Sequence, residues 1–136
     1  MIATSAQPSC FTDLEVYQHT YGASIAVMTQ VYPRLPDDER DDLKPRLGQA
    51  CKAIPRLIAA GHAGRHWKSA FQRCLTDAAG QCNEMIVSLS HCRDLHDDRV
   101  DAKLCAALIE VYEASARHLA GLSDAWDEFY DTHVTR

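Results

Sequence analysis

Apolar residues recur at alternating intervals of three and four along four stretches of this chain, the spacing that gathers them on one side of an α-helix. The first stripe runs Leu14, Tyr17, Tyr21, Ser24 with Ile25, Met28 and Val31. The second is Leu43, Leu47, Ala50, Ile54, Leu57 and Gly61, and the third Phe71, Leu75, Ala78, Cys82, Met85, Leu89 and Cys92. The fourth is Leu104, Leu108, Val111, Ser115 and Leu119. No stretch alternates with period two over a useful length, so strands are not expected. The pattern predicts one all-α domain over 1–136, with helices near 11–32, 43–61, 66–93 and 98–121 and a C-terminal extension over 122–136.

The helix breakers fall between the stripes. Pro33 and Pro36, followed by the acidic run Asp37 to Asp42, end the first helix, because proline lacks an amide donor and clashes with the preceding turn. Pro45 suits the first turn of the second helix, where its missing amide would be unbonded anyway. Gly61 and Gly64 separate the second helix from the third, and Asp97 or Asp98 is positioned to cap the fourth. Short connections favour antiparallel neighbours, hence an up-down-up-down four-helix bundle. Two residues break the local rules. Pro55 in the middle of the second stripe should kink its helix, and Gly80 in the third costs ~1 kcal/mol relative to Ala unless a close helix crossing repays it.

At 136 residues the chain is long enough to bury a core of its own, and 46% hydrophobic with 24% charged residues is the make-up of an ordinary globular protein. No apolar run approaches the ~20 residues needed to cross a bilayer. The first ten residues lack the basic start and apolar stretch of a secretory signal, so a cytoplasmic protein is expected. There Cys10, Cys51, Cys74, Cys82, Cys92 and Cys105 would stay thiols, and those at 74, 82, 92 and 105 sit on or beside apolar positions, where Cys acts as a small hydrophobe.

Charge is sharply segregated. From Leu43 to Thr76 there is no Asp or Glu, while Lys44, Arg46, Lys52, Arg56, Arg65, Lys68 and Arg73 supply half of the fourteen basic residues. That block carries +7 and the remainder −12, for a formal −5. Such segregation suits contact with nucleic acid, or with acidic segments of a neighbouring subunit. On a helical wheel Lys44, Lys52 and Arg56 lie opposite Leu47, Ala50 and Ile54, and Gly61-x-x-Gly64 places flexible backbone amides beside Arg65 and Lys68. The 37–42 acidic run and the acidic tail are the intersubunit counterparts.

Catalytic signatures are missing from the sequence. No Glu is followed three residues later by His, as the di-iron bundles require, and there is no His-Glu-x-x-His, P-loop or Cys-x-x-Cys. His62 and His66 read as solvated helix-end residues, with His91 beside Cys92 and His96 nearby; no metal or other cofactor is expected, and no enzyme activity. Near the C-terminus Trp126, Phe129 and Tyr130 share one face of a helical extension among acidic residues, the kind of aromatic cluster that anchors an interface or covers a bundle end.

Several of these residues carry a family resemblance. Phe11-x-x-Leu14-x-Val16-Tyr17-Gln18, Leu47-x-x-Ala50, Ile54-Pro55-x-x-Ile58-Ala59-x-Gly61-x-x-x-Arg65, Phe71-x-x-x-Leu75 and Gly80-x-x-x-Glu84 resemble the four-helix-bundle proteins encoded in intervening sequences of 23S ribosomal RNA genes. They are also similar to the related accessory variability protein of diversity-generating retroelements. The similarity spans about residues 11–120, and its most specific piece is Ile-Pro-x-x-Ile-Ala-x-Gly. The resemblance implies an antiparallel four-helix bundle forming a homopentameric ring without enzymatic activity, and, from the retroelement branch, RNA binding through a basic surface. Leu57 and Ala60 stand where the family commonly has Asn and Glu, and the net charge of −5 differs from the basic nucleic-acid-binding branch.

Overall fold

A computed structural model of the chain describes residues 10–133, with side chains described through residue 125. A 3-10 turn, Phe11–Asp13, leads into α1 (Glu15–Ala26), which continues as a π-helical turn, Val27–Val31. Two further 3-10 turns, Tyr32–Arg34 and Asp37–Glu39, lead to α2 (Leu43–Ala63), then α3 (Lys68–Leu95) and α4 (Ala102–His133). Among the described residues there is no strand. α3 packs along α2 and α4, and α1 lies against the same two helices, so each helix has two principal neighbours.

The second, third and fourth stripes supply much of the core, and Ile58 and Tyr112, which those stripes leave out, join it. Leu47, Ile54, Ile58, Met85, Leu89, Tyr112 and Leu119 are all fully buried, each apolar side chain among them contributing roughly 1.5–3 kcal/mol through removal from water. α2 runs unbroken through Pro55, which is itself buried. The proline removes the amide that the Cys51 carbonyl would accept, a cost its ring offsets in part by filling core volume.

The first stripe is corrected. α1 and the π turn bury Val16, Thr20, Ala23, Ser24, Val27 and Val31, so Ser24 and Val31 of the stripe do face inward, whereas Tyr21 and Ile25 are 50% and 48% exposed. Thr20 tolerates burial because its hydroxyl donates to the Val16 carbonyl at 2.8 Å, and the Ser24 hydroxyl is likewise bonded to the Tyr21 carbonyl. Gly61 does not end α2; it lies buried inside it, where an added Cβ would meet Cys74 Cβ at 3.0 Å. Gly80 is the opposite case. It is exposed, and an added Cβ would meet nothing within 4 Å among the described residues, so no close crossing there accounts for it. The cap of α4 is Asp101, whose Oδ1 accepts from the Lys103 and Leu104 amides at 2.9 and 3.3 Å; Asp97 and Asp98 lie in the preceding turn. The stretch over 122–133 continues α4 as helix.

Candidate interaction surfaces

The basic block divides into three groups along α2 and the start of α3. Lys44 and Arg46 belong to the acidic end of the molecule. Lys44 Nζ lies 5.2 Å from the centre of the Tyr32 ring, a cation–π contact, and Arg46 reaches Asp42 Oδ1 at 2.7 Å and Glu84 Oε2 at 3.8 Å. Lys52 and Arg56 follow on the exposed face of α2, opposite the buried Leu47, Ala50 and Ile54, and neither has an ion pair among the described residues. Arg65 lies just past the end of α2. Its guanidinium donates to the His62 carbonyl at 2.8 Å, satisfying one of the acceptors that a helix C-terminus leaves over. Lys68 opens α3 and is half-buried, and Arg73 is exposed on α3.

Around the α2–α3 junction the amides of the Gly61-x-x-Gly64 segment are already used. The Gly64 amide bonds to the Ala60 and Gly61 carbonyls, both at 3.1 Å, so this is a closed helix end and not a flexible cradle for phosphate. His62 is buried, at 8% exposure, which corrects its reading as a solvated residue; His66 is exposed. Between Arg65 and Lys68, Trp67 stands 73% exposed, a feature that the sequence reading passed over because no helical stripe includes it.

Among the described residues, histidines and thiols do not converge. His96 Nε2 pairs with Glu39 Oε2 at 2.7 Å, tying the 3-10 turn Asp37–Glu39 to the end of α3, and His91 is exposed. Among the described residues no group of three or more His, Cys, Asp or Glu is placed to hold a metal ion. Burial pushes the Cys51 thiol up to about 11 and the Cys82 and Cys92 thiols to about 12, and raises Cys105 as well. Thiols held protonated in this way are poor nucleophiles and poor ligands. The side chains of Trp126, Phe129 and Tyr130 lie outside the described residues, although their backbone belongs to α4.

Two surfaces stand out that the stripes did not predict. The first is the outward side of α1. From Val16 to Tyr32 the chain has no Asp, Glu, Lys or Arg, and Tyr17 stacks on Tyr21 with ring centres 5.8 Å apart and meets Phe11 edge-on at 4.9 Å. Ile25 extends this ridge, and Gly22 beside it is open to solvent. The second is a groove of about 500 Å³ between the start of α2 and the outer face of α3, lined by Leu43, Arg46, Gly80, Asn83, Val87 and Leu95 among others. Val87 and Leu95 are 54% and 64% exposed there. No helix among the described residues is long and apolar enough to cross a membrane. Compared with known proteins, the chain matches no family model, no curated protein and no solved structure.

Proposed function

We propose that the protein is a non-enzymatic, homo-oligomeric four-helix-bundle module that acts as a binding or scaffold protein, as its resemblance to the ribosomal intervening-sequence proteins implies. The observation that carries this reading is the α1 ridge: an uncharged, half-exposed aromatic face in a chain of which 24% is charged. Interface cores are depleted of charge and enriched in tyrosine in this manner. The arrangement we infer is antiparallel. Arg46 near the start of α2 meets Glu84 in the second half of α3, while Gly61 near the end of α2 faces Cys74 in the first half of α3. A cytoplasmic location belongs to this reading, and the reducing cytosol would keep the six cysteines as thiols.

Light scattering at micromolar concentration tests the reading. The expected mass is a multiple of 15.2 kDa, five being the number that the resemblance favours. A monomer mass across the accessible concentration range would overturn it.

Trp67 favours a second reading, an RNA- or DNA-binding accessory factor acting through the basic block. An exposed indole flanked by Arg65, His66 and Lys68 is the combination on which single-stranded bases stack while cations meet their phosphates. Replacing Lys52, Arg56, Arg65 and Lys68 together with Gln should then abolish binding of a labelled single-stranded oligonucleotide, and wild-type affinity should fall steeply with salt. If the same cations bridge subunits instead, the replacement and high salt will both lower the oligomer mass.

A further inference from the structure

We infer that the α1 ridge of one copy docks in the α2–α3 groove of another, a head-to-tail contact between two different surfaces of the same chain. This rests on the oligomeric reading above and names the surfaces that would carry it.

Three features of the groove select its occupant. The first is Gly80. A glycine in a helix interior costs ~1 kcal/mol relative to Ala, and among the described residues nothing outside its own helix backbone comes within 4 Å of where its Cβ would be. Its own chain therefore draws no packing benefit from the missing side chain, whereas a helix arriving from outside could approach the α3 backbone closely at that point. The second is apolar surface. Val87 and Leu95 are more than half exposed on the same side of α3, spaced seven and fifteen residues from Gly80.

The third is charge. The carboxylates at the groove are already engaged within the chain, Glu39 by His96 at 2.7 Å, and Asp42 and Glu84 by Arg46 at 2.7 and 3.8 Å. Because their oxygens already have partners, a cationic surface such as the Lys52 and Arg56 face would gain less here than at free carboxylates. A neutral partner leaves the pairs as they are. The α1 ridge is the neutral candidate, and two chains of net charge −5 meet with least repulsion where one of them carries no charge.

Dimensions agree as well. At ~1.5 Å per residue, Gly80 to Leu95 spans ~22 Å and the charge-free stretch of α1 and its π turn, Val16 to Tyr32, a similar ~24 Å. A ridge and a groove on one chain suit a heterologous contact, which repeats from copy to copy until it closes or extends. A ridge-to-ridge contact would leave the groove uncovered.

A mixing experiment separates these. One variant carries Tyr21→Glu with Ile25→Glu on the ridge, the other Gly80→Trp with Val87→Glu in the groove; circular dichroism confirms that each keeps its helicity. Each alone should lose association by roughly 30-fold or more, the scale of a disrupted interface anchor. Mixed in equal amounts, they should form a 1:1 complex of twice the chain mass and nothing larger, because each still owns one intact surface. The milder pair Ile25→Ala and Gly80→Gln serves if a charged variant fails to fold. If the groove variant stays fully associated, or the mixture stays monomeric, the head-to-tail contact is wrong. Wild-type association that neither variant weakens would overturn this contact while leaving the oligomeric reading intact, and a monomeric wild type would overturn both.

Discussion

Gly61 faces Cys74 so closely that a Cβ added to the glycine would lie 3.0 Å from the cysteine Cβ, with Phe71 Cδ1 at 3.8 Å. The atom in the way is fixed to the α3 backbone, so relief requires the helices to separate. Gly61→Ala should therefore destabilise the fold, by about 1–3 kcal/mol of overpacking, even though alanine is the better helix former. Gly121→Ala is the control: it is also helical, with nothing within 4 Å among the described residues, and should stabilise by up to ~1 kcal/mol. Urea unfolding of both variants checks the contrast, and equal effects would show that α2 and α3 are not in close contact here.

Tyr112 is fully buried, and its hydroxyl has no hydrogen-bond partner among the described residues. Burial, with the Cys51 and Cys82 thiols nearby, pushes its ionisation far above the usual tyrosine range. Removing an unsatisfied buried hydroxyl without changing the ring removes a desolvation cost, so Tyr112→Phe should raise stability by about 1 kcal/mol. A loss of that size in the same urea assay would reveal a partner for the hydroxyl.

The buried thiols set an alkaline limit. Below about pH 9 a cysteine is protonated in the folded and unfolded states alike, so these groups add no pH dependence there. Above it the unfolded chain releases protons that the folded chain retains until about pH 11 at Cys51 and pH 12 at Cys82 and Cys92. The unfolded state then binds fewer protons, and stability falls by about 1.4 kcal/mol per pH unit for each thiol. Unfolding midpoints measured between pH 7 and 10.5 should drop steeply over the upper half of that range. Cys82→Ala should start lower at pH 7 but decline less steeply, and a parallel decline would remove Cys82 from the account.

Three of the four helices were legible because α2, α3 and α4 each have one apolar side, so a stripe of Leu, Ile and Cys admits one register. α1 has two. Val16, Ala23 and Val27 compete with Tyr17, Tyr21 and Ile25 for the inward side, and the buried set includes Thr20, whose hydroxyl is satisfied by its own backbone in a way that residue type does not reveal. The surfaces were harder to read for a related reason. Gly61 and Gly80 are alike in sequence, and only their neighbours distinguish a crossing from an opening. Trp67 belongs to a connection, outside any periodic pattern.

The π turn at Val27–Val31 bears on which insertions and deletions the chain can accept. A wide turn closes through i to i+5 bonds and so holds one residue more than an α turn of the same reach. Deleting Gln30, which is exposed, would let the ladder close as ordinary α-helix while Val31 and the chain beyond keep their places. Deleting Ala53 from α2 would instead rotate every later residue of that helix by ~100°, turning Ile54 and Ile58 out of the core. Length variants at position 30 should fold and unfold cooperatively like the parent chain, whereas a one-residue deletion at position 53 should leave little soluble, helical protein.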